Sequence, residues 1–217
     1  MPKKKAAAAR SVGPRRAKTI AKPKKIAKAP PEAKRTFRTR EDFAAWLEKN
    51  HRRSTGIWAR IARKGGGLKS MTYQEGLEVA LCYGWIDALK RPESEAAWLQ
   101  RFVPRRPKSL WSRINREKAL ALVERGEMRE AGHAEIERAR QDGRWDAAYD
   151  SPSRATVPAD LETELAKRPK AKAFFDSLDR INRYAITWRI QTAMNPETRA
   201  RRIDKLVGML ENGETLH

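Results

Sequence analysis

The residues best able to do chemistry lie between positions 80 and 115, where large aromatic side chains stand beside a dense group of basic ones. The tryptophans are Trp85, Trp98 and Trp111, the basic residues are Arg101, Arg105, Arg106 and Lys108, and the nearby carboxylates are Asp87 and Glu93. A segment that keeps indole rings next to this much positive charge is typical of a rigid surface that binds an anionic partner. The sequence therefore predicts an anion-binding site in this block.

The centre of the predicted site is the turn 104–109, in which two prolines bracket Arg105 and Arg106. Because proline fixes φ and disfavours helix before it, we expect the two guanidinium groups to be displayed on an extended segment. Ser109 is predicted to be the N-cap of a helix that runs to about Arg125, and the N-terminus of such a helix attracts phosphate or carboxylate. The predicted anion-binding residues are Arg101, Arg105, Arg106, Lys108, Ser109 and Ser112.

A second group of residues is predicted to line the cleft beside this turn. Its members are Trp85, Trp111, Asn115, Arg144 and Trp145. The alternative interpretation is structural, since tryptophans in a helical body are more often core residues than stacking platforms. In that case Arg106 and Lys108 are solvated, and Arg105 braces Asp87 or the C-terminus of a helix.

Asp87 is the candidate catalytic residue. It follows Trp85 by two positions in a predicted strand, which places the two side chains on the same face of the sheet. Its carboxylate is predicted to hold Arg101 or Arg105 in position, or to act as a general base with a perturbed pKa. The structural alternative, which we favour, is an ion pair that closes a hairpin.

The usual constellations of enzyme residues are sparse in this sequence. The histidines lie outside the basic block, and the spacing of His, Cys and Asp residues does not suggest a metal site. The glycine run at 65–67 lacks the spacing of a phosphate-binding loop, and Cys82 is predicted to be a small buried side chain. We therefore predict no metal, no cofactor and a non-enzymatic function. The alternative is a small enzyme that acts on a phosphorylated or carboxylated metabolite, using Asp87 and the neighbouring arginines.

Residues 1–35 carry more than half of the excess positive charge. The whole chain has a formal net charge of +21, and this segment alone contains 13 basic residues and one acidic residue. It is rich in Lys, Ala and Pro without any aromatic residue, so we expect it to be a disordered basic arm. Such an arm binds nucleic acid without sequence preference, whereas the alternative is a solubilising extension. The residues predicted to contact nucleic acid are Lys3, Lys4, Lys5, Arg15, Arg16, Lys24 and Lys25.

The location of the protein is predicted from its apolar runs and its cysteine content. No window approaches the roughly 18 uninterrupted apolar residues of a membrane span, and positions 6–9 are too short for the apolar core of a secretory signal. The single Cys82 suits a reducing compartment. We expect a cytoplasmic protein without a membrane span, associated with the nucleoid if the basic arm directs it there. The sequence does not determine the oligomeric state.

Hydrophobic periodicity predicts an α+β fold that is predominantly helical. A small sheet in the N-terminal half is packed by helices, and the C-terminal part is all helical. Strands are predicted at 36–38, 57–62, 85–89 and 96–103, and helices at 39–50, 72–83, 109–125, 129–142, 159–167, 170–181, 182–193 and 196–211. We divide the chain into a basic tail at 1–35, a body at 36–150 and a helical C-terminal subdomain at 151–217.

Several motifs, taken together and in this order, resemble a known family. They are ALCYGWID, RFVPRRPKSLWSRIN, GRWDAAYD and NRYAITWRI, the last followed by NPETRARRIDKLVGMLENG. Over residues 36–213 the chain resembles the YdeI/OmpD-associated family of bacteriocin-protection proteins. The resemblance implies a non-enzymatic stress protein that protects against bacteriocins or other antimicrobial peptides, and it comes without an agreed reaction. The chain departs from the family pattern at Ser94, where an acid is usual, and at Val103, where Thr is usual.

Overall fold

The structure of the protein is a computed structural model that describes residues 33–216. Its strands are β1 (Lys34–Arg35), β2 (Ile57–Ala62), β3 (Trp85–Pro92) and β4 (Ala97–Pro104). Its helices are α1 (Arg40–Asn50), α2 (Tyr73–Cys82), α3 (Arg113–Glu124), α4 (Glu130–Gln141), α5 (Ala159–Ala166), α6 (Pro169–Ser177), α7 (Arg180–Gln191) and α8 (Pro196–Glu211). The strands form one sheet in the order β1-β2-β4-β3. The predicted class is confirmed: a small sheet in the N-terminal half is followed by an all-helical part.

The predicted basic arm falls almost entirely at positions 1–32, outside the described residues. Its predicted disorder and its nucleic-acid contacts therefore stay predictions. Lys34 and Arg35, which the predicted tail included, form strand β1 and pair in parallel with Trp58 and Ala59 of β2. The strand predicted at 36–38 is wrong, because the chain has already left the sheet there to enter α1.

The central strand β2 shows how the sheet packs on helices α1 and α2. Ile57, Ala59 and Ile61 alternate along one face of the strand and are buried. On the neighbouring strand β4, Phe102 stands opposite Ile57 and packs on Phe43 of α1, with ring centroids 5.2 Å apart. The alternation that predicted β2 therefore marks the face that the helices cover.

The first two helices begin at the predicted caps. Thr39 and Thr72 each form a capping box with the acidic residue three positions further on. Gly84 follows the end of α2 with φ of +71°, a conformation that favours glycine. A Cβ atom at this position would stand 2.7 Å from the Ala131 carbonyl oxygen, so glycine also allows α4 to pack closely against the chain that enters β3.

The predicted β3–β4 hairpin is present, but β3 extends further than expected. The strand continues to Pro92, and an irregularity in the pairing lies between Asp87 and Lys90. Proline lacks an N–H donor, yet β3 is an edge strand and proline is tolerated at such an edge. Pro92, which the predicted strand bounds leave in the connection between 89 and 96, is therefore the last residue of β3.

Within residues 33–216 the apolar core consists of two separate clusters. One lies between the sheet and helices α1 to α4, and the other is formed by helices α5 to α8. In α8, Ile203, Leu206, Val207 and Leu210 recur at the helical spacing and are buried. None of the helices within residues 33–216 is long and apolar enough to cross a membrane.

Tyr149 and Asp150 join the helices of the second cluster to the sheet-bearing part. The side chain of Asp150 is only 6% exposed, accepts from Gln191 Nε2 at 2.9 Å and forms an ion pair with Arg113 Nε at 3.1 Å. The Tyr184 hydroxyl donates to the Asp150 carbonyl oxygen at 2.9 Å. These contacts form a polar joint between α3 and α7.

Candidate anion-binding site

The turn 104–109 is closed by its own hydrogen bonds and not by a helix. The Arg106 N–H donates to the Ser109 hydroxyl, and the Ser109 N–H donates to the Arg106 carbonyl, both at 2.9 Å. Helix α3 begins only at Arg113, with Ser112 as its N-cap. The helix start predicted at Ser109 is therefore wrong.

A long-range pairing explains the later start of α3. The Tyr149 N–H donates to the Trp111 carbonyl at 3.0 Å, and the Arg113 N–H donates to the Tyr149 carbonyl at 2.8 Å. These two bonds form a short parallel bridge between Ser112 and Tyr149. The bridge holds Trp111 and Ser112 extended, so that the helix can begin only after them.

Arg105 turns inward from the turn, whereas Arg106 is exposed to solvent. The Arg105 residue is 5% exposed, and its Nη1 donates to the Leu110 carbonyl at 3.1 Å. Its guanidinium group stacks on Trp111, with 3.6 Å between Cζ and the ring centroid. The expected display of both guanidinium groups is thus correct only for Arg106, because neighbouring side chains of an extended segment point to opposite sides.

Arg144 is a second buried guanidinium group at the same segment. It is 4% exposed, and its Nη1 donates to the Ser109 carbonyl at 2.6 Å. Its Nε donates to the Asp142 carboxylate at 2.8 Å. Arg105 and Arg144 therefore hold the carbonyl groups of two consecutive residues, Ser109 and Leu110.

Several buried polar atoms around these two arginines have no hydrogen-bond partner within residues 33–216. The donors among them are Arg105 Nε, Arg105 Nη2, Trp111 Nε1 and Arg144 Nη2, and the acceptor is Glu135 Oε2. Leaving one such group unpaired costs about 1–3 kcal/mol, and more when the group is charged. A cluster of unpaired donors is what a site for an anionic acceptor requires.

Burial acts on the ionisation of the groups in this cluster. It lowers the pKa of Arg105 to about 10, while the Glu135 carboxylate acts in the opposite direction. The guanidinium group therefore keeps its charge at neutral pH. Burial, assisted by the nearby Asp87 carboxylate, raises the pKa of Tyr149.

Asp87 accepts a hydrogen bond from the Tyr73 hydroxyl at 2.8 Å. Burial and this carboxylate together raise the pKa of Tyr73 above its usual value. The predicted contacts of Asp87 were with Arg101 or Arg105, and sequence reasoning missed Tyr73 as its partner. The only signal in the sequence is that Tyr73 opens a capped helix, and this does not reveal a partner 14 residues away.

A groove of about 580 Å³ runs beside the turn. It is lined by Thr55, Ile86, Ala88, Arg101, Val103, Pro104, Arg105, Arg106, Pro107 and Ser109. This described lining contains three arginines and no acidic residue. Four of the six predicted anion-binding residues therefore meet at one groove.

The remaining predicted residues occupy different positions. Lys108 is exposed on the turn, and Ser112 caps α3 by accepting from the Asn115 N–H at 3.2 Å. Trp145 packs edge-on against Trp111, with ring centroids 4.9 Å apart. Trp85 is a core residue and not a cleft residue, because it is 1% exposed and its indole N–H donates to a backbone carbonyl of the loop after α1.

The protein thus has an α+β part, with a basic groove at the end of its β3–β4 hairpin, and a four-helix part that follows it in the chain. Residues 35–135 match a family described as a domain of unknown function (DUF8412). Residues 154–213 match the family described as Bacteriocin-protection, YdeI or OmpD-Associated. The resemblance to the YdeI/OmpD-associated family is therefore confirmed at helices α5 to α8, and the sheet-bearing part matches a separate family. Comparison with curated proteins and with solved structures gave no match.

Proposed function

We propose that this protein is a non-enzymatic protection protein of the YdeI/OmpD-associated type that binds a small anionic group at the turn 104–109. The observation that carries the proposal is the pair of buried guanidinium groups, Arg105 and Arg144, whose remaining N–H donors have no acceptor. The protection role comes from the description of the family that residues 154–213 match. The binding role comes from the geometry of the turn.

The arrangement around Arg105 suits an anion for two physical reasons. First, the guanidinium group is fixed between the Trp111 ring and the Leu110 carbonyl, so little side-chain freedom remains to be lost on binding. Second, hydrogen bonds between a charged donor and an anionic acceptor are about twice as strong as neutral ones. A buried position strengthens them further because solvent screening is weaker there.

A non-enzymatic role is supported by the position of Asp87. Its carboxylate is occupied by Tyr73 and is not among the residues that line the groove. The alternative function, a small enzyme acting on a phosphorylated or carboxylated metabolite, is favoured only by the influence of the Asp87 charge on Arg105 and Tyr149. If the protein binds an anion without catalysis, the Asp87→Asn variant should bind the anion as tightly as the unaltered protein does.

The binding function is tested by thermal unfolding of the full chain in acetate, phosphate or sulfate, with chloride at matched ionic strength as the reference. A ligand that binds the folded state stabilises it and so raises the melting temperature. The stabilisation is about 2.7 kcal/mol when the ligand concentration is 100 times the dissociation constant. Arg106→Gln should weaken the effect without unfolding the protein, because Arg106 is exposed. Arg201→Gln, an exposed arginine on α8, is the matched control. Equal melting temperatures in all four salts would contradict the proposal.

The basic segment 1–35 supports a second binding activity, directed at nucleic acid. Its 13 basic residues against one acidic residue favour sequence-independent, salt-sensitive association with phosphates. Deleting residues 1–32 should abolish the retardation of duplex DNA at low salt, while the far-ultraviolet circular dichroism of the remainder stays the same. Retardation that is unchanged by the deletion would refute the role of the segment.

A further inference from the structure

The largely buried Glu135 side chain is close enough to Arg105 for its charge to act on the guanidinium group, and it has an unpaired oxygen of its own. Its Oε1 accepts from Arg138 Nη1 at 2.7 Å, whereas its Oε2 has no hydrogen-bond donor within the described residues. The side chain is 13% exposed. An unpaired acceptor thus stands in a cluster whose other unpaired atoms are all donors.

Gly84 lies close to both the Arg105 backbone and the Glu135 side chain. The Arg105 N–H donates to the Gly84 carbonyl at 3.0 Å, and a Cβ atom on Gly84 would lie 3.0 Å from Glu135 Cγ. Among the charges that act on Arg105, that of Glu135 is the largest. The two side chains nevertheless leave Arg105 Nε, Arg105 Nη2 and Glu135 Oε2 without a bond to one another.

The charges around the site limit the charge of its ligand. Each buried guanidinium group already has a carboxylate close to it, Glu135 for Arg105 and Asp142 for Arg144, while Arg138 pairs with the other oxygen of Glu135 and Arg101 and Arg106 line the groove. A dianion would place its second charge against these carboxylates, which is unfavourable in a buried setting. A monoanion that also offers a hydrogen-bond donor would satisfy the unpaired atoms of both kinds.

We propose that the ligand is a small carboxylate with a hydrogen-bond donor on the adjacent carbon, that is, an α-amino or α-hydroxy acid. Its carboxylate accepts from Arg105 and the unpaired donors beside it, and its amino or hydroxyl group donates to Glu135 Oε2. This inference rests on the proposed anion-binding function and narrows it to one ligand class. Glu135 becomes the residue that selects among anions.

The inference is tested by titration calorimetry of the full chain with acetate, glycolate and free glycine, which share a carboxylate and differ in the adjacent group. A hydrogen bond to a charged acceptor predicts that glycolate, glycine or both bind at least about tenfold more tightly than acetate. Glu135→Gln should bring the affinity of free glycine to within about threefold of that of acetate, since a neutral amide no longer pairs with an ammonium group. Glu137→Gln, on the exposed side of the same helix, is the control and should leave the ratio unchanged.

The outcomes separate this inference from the function on which it rests. If acetate binds as tightly as glycolate and glycine, or if only phosphate binds, the ligand class is wrong and anion binding stands. If none of these anions binds, the proposed function is wrong and the inference falls with it. The comparison of the three ligands on the unaltered protein does not depend on whether a Glu135 variant folds.

Discussion

The sheet-bearing part and the four-helix part treat their polar groups differently. In the described helices α5 to α8, the unpaired buried side-chain atom is Asn182 Oδ1, and the core cluster is apolar. The sheet-bearing part holds the other five, on Arg105, Trp111, Glu135 and Arg144. Since native proteins pair nearly all of their buried polar groups, the contrast is that the four-helix part pairs its polar groups within the fold, whereas the sheet-bearing part leaves a group of them available to the proposed ligand.

The largest effect is expected from opening a cavity in each core. Phe102→Ala removes a fully buried ring and should lower the free energy of unfolding by about 3–5 kcal/mol, and Leu165→Ala should lower it by about 2–5 kcal/mol. Denaturant unfolding followed by tryptophan fluorescence and by circular dichroism measures both. Phe102→Ala should also reduce anion binding, because β4 carries the turn 104–109, whereas Leu165→Ala should not. Equal loss of binding in both variants would remove the functional contrast between the two parts.

The joint between the two parts is the next target. Asp150→Asn leaves the partners of a buried carboxylate poorly paired and should cost about 1–3 kcal/mol. Because the joint connects α3 with α7, we expect the substitution to separate the unfolding of the two parts into distinguishable steps. Differential scanning calorimetry measures this, with exposed Asp146→Asn as the control. A single transition that simply moves to lower temperature would argue that apolar contacts couple the two parts instead.

Replacing the buried Arg105 should affect anion binding more than it affects the stability of the fold. Arg105→Met removes the unpaired donors with an apolar side chain of similar length, but it also removes the bond to the Leu110 carbonyl and the positive charge near Glu135, so the free energy of unfolding should fall by about 1–3 kcal/mol. Anion binding should nevertheless be lost. Arg105→Lys is the matched variant, since it keeps the charge but not the fork of donors. Destabilisation by more than about 3 kcal/mol would assign Arg105 a structural role.

The smallest effect is expected at an ion pair of the four-helix part. The Arg199 guanidinium holds the pKa of the Asp160 carboxyl below its usual value, so the pair stabilises the fold above that value and the contribution is lost as pH falls through the lowered pKa. Because both side chains are partly exposed, Arg199→Met should cost only about 0.2–1 kcal/mol at neutral pH. The difference in unfolding free energy between the two proteins should therefore shrink between neutral pH and acid. The part that remains in acid reports the lost hydrogen bond from Arg199 Nη1 to the Ile190 carbonyl, and a difference that does not shrink at all would contradict the role of the ion pair.

Local patterns in the sequence predicted most of the elements. The alternation of Ile57, Ala59 and Ile61 gave β2 its observed bounds, and the threonine caps gave the starts of α1 and α2. Pro196 at the first turn and the apolar spacing after it gave α8. These features depend on contacts within a few residues, and such contacts can be read directly along the chain.

The site was predicted less completely because it depends on contacts between distant residues. The start of α3 is set by Tyr149, 37 residues after Ser112, and no spacing rule reveals this bridge. Arg105 and Arg106 are equivalent in sequence, yet only the folded chain shows which one is buried. From the sequence alone Glu135 is an ordinary surface residue of an amphipathic helix, and only the folded chain shows that α4 packs closely against Gly84, whose carbonyl accepts from the Arg105 N–H.

Two consecutive residues, Tyr149 and Asp150, connect Trp111 to helix α7. Tyr149 holds the backbone of the residue on which Arg105 stacks, and the next residue, Asp150, is held by Gln191 and Tyr184 of α7. If an anion binds at the turn 104–109 as proposed, a rotation of helices α5 to α8 about this point would move the Trp111 ring on which Arg105 stacks, so that binding and the orientation of these helices would be linked.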